Sequence, residues 1–258
     1  MDGSLNRVEE VAAKAGVKKS RIPAKLDYIQ SATGLLLALF MWSHMLLVSS
    51  ILLGEDAMYF VSKMMEGEPI FGDSYPILVS GTAALIFTIF IAHAGIAIRK
   101  FPGNFKEFRL YRAHMKRMKH SDTNLWFYQV MTGFVMFFLG SIHLFIIMTH
   151  PGEIGPYASA DRIVSEWMAP LYILLLLAVE FHGSIGLYRL AIKWGWFEGN
   201  DAKKSRKRLK AWKWFVTIFF LTLGFLSLAA YIKIGLIQID TDNVGNRYTP
   251  SHLEVKAH

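Results

Sequence analysis

Five long apolar segments, at about residues 28–54, 76–100, 124–150, 168–192 and 212–235, set the terms on which this chain can fold. Each exceeds the roughly 20 residues that a helix needs to cross the hydrocarbon core of a bilayer. The expected class is an all-α membrane protein, with five transmembrane helices forming one bundle in a single integral membrane domain over residues 1–258. Hydrophobic residues make up 53% of the chain, yet its formal net charge is +8, so charge and apolarity are segregated along the sequence. No repeat, low-complexity tract or second domain is evident, and no apolar core before residue 28 reads as a cleavable signal peptide.

Loop charges order the segments across the membrane. The N-terminal tail holds six Lys or Arg, residues 99–123 hold eight and residues 189–210 another eight. The stretches 54–75 and 151–167 hold only Lys63 and Arg162, and the first of them carries Glu55, Asp56, Glu66, Glu68 and Asp73. The positive-inside rule puts the N-terminus in the cytoplasm and the C-terminus outside. The tail from Ser4 to Lys19 reads either as a short amphipathic helix on the membrane surface or as a partly ordered segment. The basic stretches Lys106–Lys119 and Lys203–Arg208 suit anionic lipid head groups or a soluble partner subunit. Nucleic-acid binding is disfavoured, because these charges border membrane spans.

Ionisable side chains within a bilayer are expensive and mark candidate sites. Four spans each carry one histidine of this kind: His44, His93, His143 and His182. At about 1.5 Å of rise per residue, His44 lies roughly 24 Å and His143 roughly 28 Å from the inner ends of their helices. His93 lies roughly 10 Å and His182 roughly 15 Å in. They sort into an outer pair, His44 with His143, and an inner pair, His93 with His182. Each pair joins two different helices at similar depth, as bis-histidine ligation of a haem iron requires. Zinc would gather its ligands at one depth, and a proton relay would mix histidines with acids along one path. Small neighbours (Ser43, Ala94, Gly95, Gly140, Ser141, Gly183, Ser184) leave room for a macrocycle, and equally for close helix packing.

Gln30, Ser31, Trp126 and Lys193 fall near the inner helix ends, where they could meet inner-haem propionates; Trp126 and Lys193 also suit plain interfacial anchoring. Glu66, in the first outer loop, is either a proton acceptor for a quinol or a solvated acid. Glu180, two residues from His182 on another helix face, would be costly to charge. It reads as part of a proton route or as a hydrogen-bond partner of a neighbouring helix. The chain has no Cys, which excludes disulfides, thiolate metal sites and covalent c-type haem attachment. No dinucleotide fingerprint, phosphate loop or nucleophile motif appears.

Several stretches carry a resemblance to a known family. They are Pro23-Ala24-Lys25-Leu26-Asp27 with Gln30-Ser31-Ala32-Thr33-Gly34, Phe90-Ile91-Ala92-His93-Ala94, Phe138-Leu139-Gly140-Ser141-Ile142-His143-Leu144 and Glu180-Phe181-His182-Gly183-Ser184. With five spans, the chain from about residue 19 to 197 resembles the dihaem cytochrome b subunits of menaquinol:fumarate reductases and the succinate:quinone oxidoreductase family, and beyond that it matches only in character. The resemblance implies two haem b groups, an outer one on His44 and His143 and an inner one on His93 and His182. It implies menaquinol as substrate, and partner subunits on the cytoplasmic side: an iron–sulfur protein and a flavoprotein whose FAD reduces fumarate to succinate. It also implies a dimer of heterotrimers in the bacterial inner membrane. Glu66 matches the acid of the quinol-oxidation site, Glu180 an acid of a transmembrane proton path, and Arg162 a position associated with that path. The same architecture could run as a succinate dehydrogenase or serve another respiratory reductase. A proton-coupled transporter or a haem-free anchor would be readings of a different class.

Overall fold

A computed structural model of the chain describes residues 20–118 and 121–250, and among these the only regular elements are helices. The tail Ser4–Lys19 and Lys119 lie outside the described residues. Nine α-helices follow one another: α1 Ile22–Val48, α2 Glu55–Met65, α3 Glu68–Phe71, α4 Ile77–Ile98, α5 Phe105–Met118, α6 Ser121–Thr149, α7 Pro156–Val164, α8 Ala169–Lys193 and α9 Ala202–Asp240. A 3-10 turn, Ser49–Leu53, continues α1. Prolines open α1, α7 and α8 in their first turn, where a missing N–H sacrifices no intrahelical bond.

Five helices are long and apolar enough to span a bilayer: α1 with its 3-10 turn, α4, α6, α8 and α9. Three coincide with the expected segments to within three residues at each end, and the first begins six residues early, at Ile22. The fifth differs, because α9 runs for 39 residues where the apolar stretch covers only 212–235. Hydropathy ends at the membrane, but the helix does not. Residues 202–211 contain no Pro or Gly, and the Asp201 side chain caps the start by accepting from the Lys204 N–H at 3.0 Å. This extension is tied to α6, with Lys210 Nζ 2.8 Å and Arg206 Nη1 3.7 Å from the Asp122 carboxylate. The basic stretch after α4 likewise folds, as the amphipathic helix α5.

The four histidine-bearing helices pack as a closed ring, α1 on α4, α4 on α6, α6 on α8 and α8 back on α1. Helix α9 lies outside the ring against α8, α1 and α7. Large apolar side chains such as Leu39, Leu46, Phe138, Ile218 and Leu226 point outward. In hydrocarbon that exposure carries no hydrophobic penalty, and tight packing falls to small residues. Gly224 of α9 meets Leu176 and Met45, and Gly235 meets Val164 and the Ala160 carbonyl.

Two ends can be told apart by charge. The basic end gathers the start of α1, the ends of α4 and α8 and the start of α9. There Asp27 of α1 is paired with Lys100 and, at 2.5 Å, with Lys193 of α8. At the acidic end α2, α7 and the 3-10 turn form a cap over α9, with a buried cluster of Ile51, Met58, Ala160, Ile163, Leu228 and Tyr231.

Candidate functional site: facing histidine pairs

Ring order decides which histidines can meet. With α1, α4, α6 and α8 arranged in that sequence, α1 and α6 are opposite corners, and so are α4 and α8. The histidines face one another along these two diagonals. The rings of His44 and His143 have centres 6.1 Å apart, inclined at 53°, nearer the acidic end. Those of His93 and His182 are 6.5 Å apart at 84°, nearer the basic end.

Each pair has its own surroundings. His182 Nδ1 lies 2.8 Å from the carbonyl oxygen of Gln129, so that nitrogen carries the proton and donates it. His93 Nδ1 lies 3.0 Å from Thr33 Oγ1. The Thr33 hydroxyl already donates to the Ile29 carbonyl at 2.8 Å, so its oxygen accepts from His93. Both bonds leave Nε2 as the lone-pair nitrogen. The acidic-end pair is held by rings instead. Phe40 stacks on His44, Tyr172 abuts His143 edge-on, and buried His143 Nδ1 has no partner among the described residues.

A cavity of about 630 Å³ opens between the helices at the basic-end pair, lined by both His93 and His182. It falls within the ~300–1,000 Å³ typical of cofactor sites. Gln30, Ser31, Trp126 and Lys193 all line it. Gln30 Oε1 is buried without a partner among the described residues, and Ser31 Oγ accepts from Lys193 Nζ at 3.0 Å. The Trp126 ring sits edge-on against Tyr111 at 4.9 Å. Arg189 also enters the cavity, donating to Gln129 Oε1 at 2.6 Å.

The acids fall elsewhere. Glu66, the C-cap residue of α2, is 3% exposed and pairs with Lys63 Nζ at 2.8 Å, so it is not a solvated loop acid. Gly67 behind it has φ +83°, and a Cβ there would stand 2.6 Å from Leu78 Cδ1, so only glycine makes this turn without strain. Glu180 is 0% exposed, and neither carboxylate oxygen has a partner among the described residues, so of its two readings the bond to a neighbouring helix is not formed there. Arg162 is buried on α7, donating to the Glu153 carbonyl at 2.9 Å.

Several supporting residues escape a reading of the neighbours of each histidine along the chain. Gly95, two residues after His93, has nothing within 4 Å of an added Cβ among the described residues. The close approaches are to Gly34 on α1 and Gly133 on α6. A short repeat marks both, a correction to the expectation that the chain holds none. Gln30-Ser31-Ala32-Thr33-Gly34 recurs as Gln129-Val130-Met131-Thr132-Gly133, and each glycine is followed ten residues later by a histidine, His44 and His143.

These features define a multi-span helical membrane protein with paired imidazoles across its centre. Residues 106–223 match the family described as "Succinate dehydrogenase/Fumarate reductase transmembrane subunit". The chain is 54% identical over 231 residues to the fumarate reductase cytochrome b subunit of Wolinella succinogenes, covering 90% of each. It is 54% identical over 224 residues to the protein of that name from Helicobacter pylori strain 26695, covering 87% of this chain and 86% of that one. The chain belongs to the succinate dehydrogenase/fumarate reductase transmembrane subunits, among the fumarate reductase cytochrome b subunits. It is therefore a membrane anchor within an oxidoreductase complex, and the similarity runs well beyond residue 197.

Cytochrome b implies haem, and the residues fit it. A metal–imidazole nitrogen bond is about 2.0 Å and a ring nitrogen lies about 1.1 Å from its ring centre, so two imidazoles in trans on one metal have centres about 6.2 Å apart. Both pairs stand at that separation. Among the described residues no cluster of three or more His, Asp or Glu offers a competing metal site.

Proposed function

We propose that this chain is the dihaem, quinol-oxidising subunit of a menaquinol:fumarate reductase. The observation that carries the reading is the occupation of both diagonals of the helix ring by facing imidazoles at the separation of axial ligands. His44 and His143 would hold an outer haem b, and His93 and His182 an inner one. Gln30, Ser31, Trp126 and Lys193 would receive the inner propionates, which fits their shared cavity and the unpartnered Gln30 oxygen. When bound, the two haems supply one-electron relay between the membrane faces.

The remaining work falls to side chains. Oxidation of menaquinol to the quinone releases two electrons and two protons. The Glu66 carboxylate accepts one proton from a quinol hydroxyl, exchanging its Lys63 partner as it does so. The other leaves to the aqueous phase on that side. Glu180 accepts and releases a proton deep in the membrane, with Arg162 fixing the outer loop near that route. Unpartnered oxygens suit the role, since no protein bond must break before protonation. The basic loops support a cytoplasmic N-terminus and basic end, where an iron–sulfur subunit and a FAD-bearing subunit would dock. The complex is a dimer of heterotrimers in the bacterial inner membrane.

The test is to isolate the complex from membranes and drive fumarate reduction with a reduced menaquinone analogue. Fumarate-dependent quinol oxidation that disappears in Glu66→Gln supports the reading. A complex that reduces fumarate from an artificial donor but never from quinol, wild type included, contradicts it. A succinate:quinone reductase would instead turn over faster in the opposite direction with this quinone.

A further inference from the structure

The four-residue spacing of Gln30 to Gly34 and Gln129 to Gly133 builds two matching surfaces on opposite corners of the ring. On α1 a Cβ at Gly34 would stand 2.9 Å from His93 Cε1. On α6 a Cβ at Gly133 would stand 2.9 Å from His182 Cε1 and 3.1 Å from its Nδ1. At both corners the Cε1 edge of the imidazole comes up against bare backbone, where a methyl group would displace it. One turn before Gly133 the Gln129 carbonyl takes the proton of His182, and beside Gly34 the Thr33 hydroxyl takes that of His93. The two cradles serve histidines from different helices, His93 of α4 and His182 of α8. A half-turn about the bundle axis exchanges α1 with α6 and α4 with α8, so both cradles and all four histidines obey one approximate twofold.

The geometry points to Thr33 with Gly34, and Gln129 with Gly133, as the positioning residues of the inner haem, which set the tautomer and aim of its two axial imidazoles. This rests on the assignment of His93 and His182 as ligands. The glycines admit the rings, and the two acceptors hold Nδ1–H so that Nε2 meets the metal. An acceptor on Nδ1–H makes the imidazole more basic and favours the oxidised metal. In the outer pair, His143 Nδ1 has no such acceptor among the described residues. The consequences are confined to one haem of two.

Four variants of the purified complex test this: Gly34→Ala, Gly133→Ala, Thr33→Val and, as a control in the same class of helix, Gly81→Ala, whose added Cβ has open space. Glycine to alanine favours a helix intrinsically, so a loss cannot come from helix propensity. The readouts are haem per chain and an optical potentiometric titration of each haem. Gly34→Ala and Gly133→Ala are expected to weaken retention of the inner haem by about 10–100-fold, the usual effect of losing a supporting partner. The outer haem and the control stay at wild-type values. Thr33→Val is expected to keep both haems but raise the inner reduced-to-oxidised ratio at fixed potential about threefold or more, and Thr33→Ser restores it. Wild-type occupancy and potentials in both glycine variants and in Thr33→Val would overturn the proposal. Failure of the ligand assignment looks different: the wild type itself would then lack a haem that His93→Ala removes.

Discussion

The ammonium of Lys63 lies 2.8 Å from a Glu66 carboxylate that is almost wholly withdrawn from solvent. The pair sits one helical turn apart at the end of α2, closed off by the left-handed turn at Gly67.

Glu66→Gln should lower quinol oxidation by about 100-fold or more, the usual contribution of a general base, with haem content unchanged. Lys63→Met leaves a buried carboxylate without its cation and should also slow the reaction, by less. Steady-state oxidation of a menaquinol analogue measures both. Wild-type rates in Glu66→Gln would remove the residue from the mechanism.

Glu180→Gln replaces a buried carboxyl that has no bonded partner among the described residues by an amide of the same shape. Stability and haem content should hold, because no interaction is broken. Turnover should fall about tenfold or more, because an amide cannot pass a proton. Full turnover in this variant, measured in proteoliposomes, would reduce Glu180 to a packing residue.

Gly235 brings α9 against α7, and a Cβ there would come within 2.6 Å of Val164 Cγ2 and 2.9 Å of the Ala160 carbonyl oxygen. The carbonyl is backbone and cannot swing aside. Gly235→Ala should cost about 1–3 kcal/mol through overpacking, read as a lowered unfolding temperature with unchanged haem spectra. Gly81→Ala should show no such loss.

Tyr248 donates to Asp56 at 2.7 Å, between the rings of Tyr59 and Tyr157. Burial and the adjacent carboxylate hold its phenol above the usual tyrosine range. A raised value in the folded state contributes stability that is complete below the unfolded value of about 10 and is lost as the pH climbs through the folded one. Thermal unfolding should therefore show an alkaline loss of stability above about pH 10. Tyr248→Phe should remove that component and lower stability at neutral pH by about 1 kcal/mol or less.

The five spans were legible in the sequence because apolar length is set by the bilayer, whatever the fold. The depths of His44, His93, His143 and His182 sorted them into the same pairs whose rings face one another, since rise per residue is fixed in a helix. What escaped was everything set by the neighbouring helix. Gly34 and Gly133 matter for histidines 59 and 49 residues away, so the small residues beside each histidine drew attention instead. The burial of Glu66 was hidden because a loop acid reads as solvated until α2 and its Gly67 turn are in place. The extra length of α9 was missed because hydropathy reports the membrane and helix propensity does not stop there.

The central claim is that each diagonal of the helix ring holds one haem. An optical potentiometric titration of the purified complex, with haem quantified per chain, tests it directly. The account predicts two b-type haems that titrate separately, with His44→Ala removing one transition and His93→Ala the other. One haem, or none, or a single transition lost in both variants, would contradict it.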